Sequence, residues 1–137
     1  MRIPIGISIL MLLSVATAYA QGASVVMVDY PREVRPYDYF HPVWTVEAGG
    51  LGVEESGIVW GTVSGKASVD AYPFKSLGVQ DGSRYTASVK AFADTRLFEP
   101  NEVAWIYFRA YAVVGGKSYL SSEESIYVYN QEDTNIP

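Results

Sequence analysis

The stretch EVAWIYFRAYAVVGG, residues 102–116, decides the fold class. Successive side chains of a β-strand point to opposite faces, and this stretch divides into two such sets. Gly115 and Gly116 at its end are typical of a tight hairpin turn with positive φ. We therefore predict a long strand over Glu102–Val114 that returns as Lys117–Leu120. The predicted core-facing residues are Ile106, Phe108, Ala110 and Ala112. The predicted outer residues are Trp105, Tyr107, Arg109 and Tyr111.

Shorter alternating runs precede and follow this strand, and turn residues separate them. Pro42 indicates an edge position or a bulge in the second run, and Tyr30–Asp38 reads as an extended connection or a broken edge strand. We expect an all-β, antiparallel sandwich of about seven short strands, an immunoglobulin-like architecture. The other predicted strands are Ser24–Asp29, Tyr39–Glu47, Ser56–Thr62, Ala67–Phe74, Arg84–Phe92 and Ser125–Tyr129.

Two motifs lie between Gly50 and Tyr129. The first is ESGIVWGT at residues 55–62, and the second is FRAYA at residues 108–112, followed by GGKSY and then Ser122. They resemble motifs of the fibronectin type III-like domains of bacterial cell-surface and secreted proteins. The resemblance implies the same sandwich but little about function, because this architecture hosts many unrelated activities. Family members usually place a corner tyrosine three residues before the arginine, where this chain has Ile106.

Residues 1–20 have the features of an export signal. Arg2 supplies a positive start, Ile3–Val15 is mostly apolar, and Ala18-Tyr19-Ala20 has the small-x-small pattern of a cleavage site. The apolar run is shorter than the ~20 residues of a membrane-spanning helix. We expect cleavage after Ala20 and a secreted protein, extracellular or periplasmic; the alternative is an uncleaved membrane anchor.

Cleavage would leave one sandwich domain over residues 21–130 and a polar tail over residues 131–137, with no membrane span. The whole chain has 10 basic and 15 acidic residues, a formal net charge of −5 and no cysteine. Its basic residues form no cluster that could bind phosphates, so nucleic acid is not an expected partner. Without cysteine, the core alone must hold the domain, and disulfides, thiolate metal sites and thiol nucleophiles are excluded.

The outer residues of the central strand are the candidate binding site. Aromatic rings contact apolar surfaces, while tyrosine hydroxyls and arginine supply hydrogen-bond donors. Two tyrosines of the last strand join this surface if Ile126 and Val128 face inward. The alternative is a structural ladder, in which Arg109 lies over tyrosine rings and covers the sheet without a ligand. The candidate binding residues are Trp105, Tyr107, Arg109, Tyr111, Tyr127 and Tyr129.

Other polar residues point to no reaction. His41 is the only histidine, so it cannot build a His-rich metal site, and no Ser-His-Asp spacing can be argued from this one member. Neighbouring strand residues point to opposite faces, so neither adjacent pair, Glu54-Glu55 or Glu123-Glu124, forms a dyad that shares a proton. We expect both pairs to lie in turns as solvated charges. One loop holds three acidic residues and is a candidate calcium site, but the chain lacks the D-x-D-x-D-G pattern of a calcium-binding loop. The acidic residues of that loop are Asp94, Glu99 and Glu102.

These features predict a non-catalytic exported module, without metal or cofactor, that binds a protein or takes part in an assembly at the cell surface. A carbohydrate-binding accessory module that uses the outer aromatic residues is one alternative, so a glycan is a second possible partner. A secreted inhibitor or effector is another. An enzyme that uses exposed carboxylates is disfavoured, because no titratable pair with an orienting group can be named. At least one of Trp44 and Trp60 is expected in the core.

Overall fold

The computed structural model describes residues 22–91, 99–100 and 102–130. The predicted export signal and polar tail lie outside these residues. The described part is all-β, as predicted, and contains one short 3₁₀ helix at Val69–Ala71. The strands are β1 (Ser24–Asp29), β2 (Glu33–Val34), β3 (Tyr39–Phe40), β4 (Val43–Glu47), β5 (Val53–Gly61), β6 (Phe74–Leu77), β7 (Val79–Asp81), β8 (Arg84–Thr86), β9 (Val89–Lys90), β10 (Val103–Val114), β11 (Lys117–Leu120) and β12 (Glu124–Tyr129).

The strands form two larger sheets and one small one. The first sheet has the order β1–β4–β8–β7, and all its pairs are antiparallel. The second has the order β2–β12–β10–β5–β6, with β11 also paired to β10. This sheet is mixed, because β2 pairs with β12 in parallel. Strands β3 and β9 form the small third sheet.

A single hydrophobic core joins the two larger sheets. Val25 and Trp44 come from the first sheet, and Ile58, Phe108 and Ile126 come from the second. The predicted core-facing set of the central strand is confirmed, since all its members are buried. Both tryptophans considered for the core, Trp44 and Trp60, are also buried. Burial of large apolar side chains from both sheets is the main favourable term in the stability of such a domain.

The central hairpin forms as the alternation and the glycine pair predict. Gly115 and Gly116 have φ values of 60° and 74°, the conformation that a type I′ turn needs at both central residues. The turn sets β11 beside β10 in register, with Val114 opposite Lys117. Backbone conformation at these two positions follows from the local sequence, which is why the prediction holds here.

Several predicted strands differ from the observed ones. The run Tyr39–Glu47 breaks at Pro42 into β3 and β4, which join different sheets, because proline cannot donate to a ladder. Arg84–Phe92 likewise divides into β8 and β9. The strand predicted at Ala67–Phe74 is wrong: the 3₁₀ helix occupies part of this segment, and β6 begins only at Phe74. Glu54 and Glu55 lie within β5, so their placement in a turn is also wrong.

No helix within the described ranges is long and apolar enough to cross a lipid bilayer.

Candidate binding surface

The six candidate binding residues divide into a covered group and an exposed group. Arg109 and Tyr111 lie beneath the β5–β6 loop, residues 62–73, and Tyr111 is fully buried. Tyr111, Val59 and Tyr72 form a second, smaller hydrophobic cluster on the outer face of the sheet. The prediction placed Tyr111 on the correct face but missed the loop that covers it. Its ring is therefore not available at the surface to a ligand.

Glu123 fastens the β5–β6 loop to the sheet. Its carboxylate accepts hydrogen bonds from Ser64 Oγ at 2.7 Å, Gly65 N at 3.0 Å and the Tyr72 hydroxyl at 2.6 Å. Burial by itself raises the pKa of Glu123, but these hydrogen bonds and the nearby Arg109 guanidinium outweigh it, and the net pKa is lowered. Glu123 is thus a structural acceptor rather than the solvated charge that the sequence suggested.

Arg109 makes its contacts with the same loop. Its Nε donates to the Lys66 carbonyl at 3.0 Å and to the Tyr72 hydroxyl at 2.9 Å, and Nη1 donates to the Ser121 carbonyl at 2.8 Å. Burial and the hydrogen bond to Glu123 raise the pKa of Tyr72 to about 12, although Arg109 opposes the shift. Arg109 therefore has a structural role, as in the alternative hypothesis. It lies beneath a loop, however, and not over tyrosine rings.

Tyr111 is fixed by a similar pair. Its hydroxyl donates to Glu55 Oε2 at 2.6 Å, and Lys75 Nζ lies 3.4 Å from the same oxygen and 5.8 Å from the centre of the Tyr111 ring. Burial and the hydrogen bond to Glu55 raise the pKa of Tyr111. The hydrogen bond from Tyr111, with the charge of Lys75, lowers the pKa of Glu55. Glu55 therefore stabilises the outer cluster.

A third tyrosine–glutamate pair joins the segment after β1 to the start of β12. The Tyr30 hydroxyl donates to Glu124 Oε2, and this hydrogen bond raises the pKa of Tyr30. The Tyr30 ring packs edge-on against Phe108 at 5.3 Å between ring centres. Sequence analysis missed all three pairs, because their members lie 51, 56 and 94 residues apart and no local pattern connects them.

The more open group forms what we call the aromatic patch, in which Trp105 is exposed and Tyr127 and Tyr129 are partly buried. Trp105 pairs across the strands with Tyr127, and their ring centres lie 5.2 Å apart with an interplanar angle of 73°. The rings of Tyr127 and Tyr129 are 5.9 Å apart and tilted by 51°. Trp105 is 45% exposed and Val103, opposite Tyr129, is 43% exposed. Tyr107 is partly buried on the same outer face, nearer to Arg109.

A shallow groove of about 350 Å³ runs beside the aromatic patch. Trp105 and Tyr127 form one wall, and strand β2 with the segment before it contributes Arg32 and Glu33. Both of these charged residues are exposed. The surface therefore offers apolar rings flanked by one cation and one anion, with the rings at steep angles to one another.

The residues considered for a metal site are not brought together in the part of the chain that the structure describes. No group of three or more histidine, cysteine, aspartate or glutamate residues there could hold a metal ion. Glu102 Oε1 accepts a hydrogen bond from the Glu99 backbone N–H at 3.0 Å, and Asp94 lies outside the described residues. His41 is exposed in the link between β3 and β4.

No protein-family model matches the chain. A search of the curated proteins likewise found no match. Among solved structures, the chain is similar to a conjugative transposon lipoprotein from Bacteroides eggerthii DSM 20697. The two share 13% sequence identity, the alignment covers 76% of this chain and 95% of that chain, and the TM-score is 0.40. A likeness at this identity and TM-score carries no argument about what this chain does.

Proposed function

We propose that this protein is a non-catalytic, exported β-sandwich module of immunoglobulin-like, fibronectin type III-like type, which binds a protein partner or takes its place in an assembly at the cell surface. The observation that carries the proposal is the aromatic patch. Trp105, Tyr127 and Tyr129 lie half-open to solvent on two hydrogen-bonded strands, and aromatic residues on a rigid support are the usual anchors of protein interfaces.

The strand order supports the immunoglobulin-like assignment. The order β1–β4–β8–β7 corresponds to strands A–B–E–D of that architecture, and β5–β10–β12 corresponds to C–F–G. In this assignment β6 follows strand C and lies on its edge, and β2 adds to the edge of strand G. The patch then lies on strands F and G, at the start of strand F and the end of strand G.

Exposed apolar area supports binding to a protein. Val103 is 43% exposed and Trp105 is 45% exposed, although burial of such apolar side chains would stabilise a small domain. The steep angles between the rings favour inserted side chains over a stacked sugar. Arg32 and Glu33 at the rim supply charges that can select a partner of complementary pattern.

The shifted pKa values support a non-catalytic role. Strongly perturbed ionisable groups are candidate catalytic residues when they converge in a cleft. Here each tyrosine with a raised pKa donates a hydrogen bond to a glutamate that holds two segments of the fold together: Tyr72 to Glu123, Tyr111 to Glu55 and Tyr30 to Glu124. Each shift is explained by burial and by its structural partner. Export rests on the signal-like residues 1–20 of the sequence.

The proposal is tested by affinity capture from the cell-envelope fraction of the organism that produces the protein. We expect the wild-type protein to retain one partner, which the double variant Trp105→Ala, Tyr127→Ala fails to retain. The matched control is Tyr39→Ala, which removes a ring that is 58% exposed but lies on β3, outside the patch. Binding of the purified partner is then measured directly by calorimetry.

Two results would contradict the proposal. In the first, the double variant and the Tyr39→Ala control bind the partner equally well. In the second, the folded wild-type protein retains no partner. A stable one-to-one complex with a single foreign enzyme or receptor would instead favour the inhibitor or effector alternative. Retention on a glycan array, lost in the double variant, would favour the carbohydrate-binding alternative.

A further inference from the structure

Two consecutive strands leave open edges on the same side of the domain. Strand β6 is the last strand of the mixed sheet, and β7 is the last strand of the antiparallel sheet. Gly78 alone joins them, so the chain passes from one sheet edge directly to the other. Open edges present unpaired backbone donors and acceptors, which natural proteins usually cover or protect.

The passage between the two edges is held rigidly. The Gly78 N–H donates to the Ser56 carbonyl at 2.8 Å. A Cβ atom at position 78 would lie 2.7 Å from Trp44 Cζ2, and Trp44 is fully buried. Because Gly78 is packed so closely, the edge of β6 is preorganised rather than free to rearrange. Preorganised surfaces lose less conformational entropy when they bind.

The hydrogen bond from Gly78 also shows which backbone groups of β6 face outward. Hydrogen-bonded positions alternate along an antiparallel pair. Since Gly78 bonds to β5, the next bonded positions toward the start of β6 are Ser76 and Phe74, opposite Ile58 and Trp60. The N–H and C=O groups of Lys75 and Leu77 therefore point away from β5, toward the open side.

Two exposed apolar side chains flank Gly78, one at the end of β6 and one at the start of β7. Leu77 is 63% exposed and Val79 is 67% exposed, the two largest values among the exposed large hydrophobic residues of the described chain. A lysine on an edge strand usually protects the edge from pairing. The Lys75 ammonium group instead lies over the Tyr111 ring and forms an ion pair with Glu55. The edge thus combines outward backbone groups with unprotected apolar side chains.

We propose that β6 pairs antiparallel with β6 of a second copy of this chain, about a two-fold axis at Ser76. In this register Lys75 of each copy lies opposite Leu77 of the other, and Ser76 lies opposite Ser76. The outward groups of Lys75 and Leu77 then form hydrogen-bonded pairs across the axis, with Ser76 as the central non-hydrogen-bonded pair. One continuous sheet extends through both copies.

A second copy is favoured because the edge is self-complementary in this register. Antiparallel pairing places no lysine opposite a lysine, so like charges do not meet directly. Leu77 packs against the aliphatic stem of the opposite Lys75, whose charge stays paired with Glu55. Two-fold dimers with the same patch on both subunits are the commonest form of homo-oligomer. The pairing uses the sheet edge opposite β2, so it does not involve the aromatic patch of either copy.

Disulfide trapping tests the register, because the chain has no cysteine of its own. Residues at a non-hydrogen-bonded antiparallel pair lie ~4.5 Å apart at Cα, within the range that a disulfide spans. We expect Ser76→Cys to form a covalent dimer under mild oxidation about tenfold or more faster than Ser24→Cys, because strand pairing raises the effective concentration of the two thiols. Ser24 lies exposed on β1 and provides the matched control.

Sedimentation of the purified protein over a range of concentrations tests the association itself. We expect a dimer for the wild-type chain, loss of the dimer for Leu77→Lys, and retention for Val26→Lys, a control at a 54% exposed position of β1. Circular dichroism verifies that each variant folds. Faster trapping of Ser76→Cys supports the pairing even if the dimer dissociates during sedimentation.

Equal trapping rates for Ser76→Cys and Ser24→Cys overturn the proposed pairing. A dimer that survives Leu77→Lys unchanged overturns it as well. Neither result bears on partner capture by the aromatic patch, which is measured separately with the Trp105 and Tyr127 variants.

Discussion

The Tyr72 hydroxyl donates a 2.6 Å hydrogen bond to Glu123 Oε2, and the same hydroxyl accepts a 2.9 Å bond from Arg109 Nε. These three residues come from the β5–β6 loop, the segment before β12 and the central strand. The network holds the loop against the outer face of the sheet and closes the small cluster around Tyr111. Two of the six candidate binding residues, Arg109 and Tyr111, thereby have structural roles.

Loss of the Tyr72 hydroxyl should destabilise the domain. Tyr72→Phe keeps the ring in its buried site but removes one donor to Glu123 and one acceptor for Arg109. Hydrogen bonds to charged groups contribute more than neutral ones, so we expect a loss of about 1–3 kcal/mol in the free energy of unfolding. Denaturant titration measures it. Tyr39→Phe, at a 58% exposed ring, is the control, and an equal loss there would contradict the assigned role.

Stability should fall in acid partly through Glu123. Its pKa in the folded protein lies below its usual 4.5, so its contribution is present above pH 4.5 and is lost as the pH falls through the folded value. We expect the free energy of unfolding of the wild-type protein to decrease more steeply below about pH 5 than that of Glu123→Gln.

The acid effect is measured by urea unfolding at a series of pH values. Glu47→Gln changes an exposed carboxylate at the end of β4 and serves as the control. If Glu123→Gln shows the wild-type slope, the lowered pKa of Glu123 is not coupled to folding.

The covered and the exposed aromatic residues should respond oppositely to substitution. Tyr111 is fully buried, so Tyr111→Ala should cost about 3–5 kcal/mol of stability, the range for large core side chains replaced by alanine. Trp105 is 45% exposed, and Trp105→Ala should cost less than about 1 kcal/mol. Thermal and denaturant unfolding measure both. Comparable losses for the two variants would show that the aromatic patch is itself structural.

Gly78 should not tolerate a side chain. In Gly78→Ala the new methyl group would approach Trp44 Cζ2 to 2.7 Å and the Ser56 carbonyl to 3.0 Å. Neither can withdraw easily, since Trp44 is fully buried and donates to Ser56 Oγ at 2.8 Å. We expect a loss of about 1–3 kcal/mol, as for overpacked cores.

Gly52→Ala provides the matched control for Gly78→Ala. No atom lies within 4 Å of a Cβ placed at position 52, so this substitution should leave the free energy of unfolding within about 0.5 kcal/mol of the wild-type value. Alanine in place of glycine stabilises a protein through the unfolded chain, so a similar loss in both variants would mean that the contact with Trp44 is not the cause.

Local signals predicted some elements and failed at others for identifiable reasons. Strand β1 agrees with its predicted bounds, and the hairpin at Gly115 follows from backbone conformations that glycine adopts without strain. At Pro42 the alternation continues across the proline while the backbone changes sheets. Alternation reports which face a side chain takes, but it contains no information about which strand lies alongside.

The all-β class, the central strand, its inward set and its hairpin could be determined from the sequence alone. Each depends on side-chain alternation or on glycine conformation, which act between residues close in the chain. Only the tertiary structure decided that Tyr111 and Arg109 are covered while Trp105 is exposed. The cover is made by contacts such as Tyr72 with Glu123, 51 residues apart. Burial of an outer face depends on where a distant loop folds, and such long-range contacts leave no periodic pattern in the sequence.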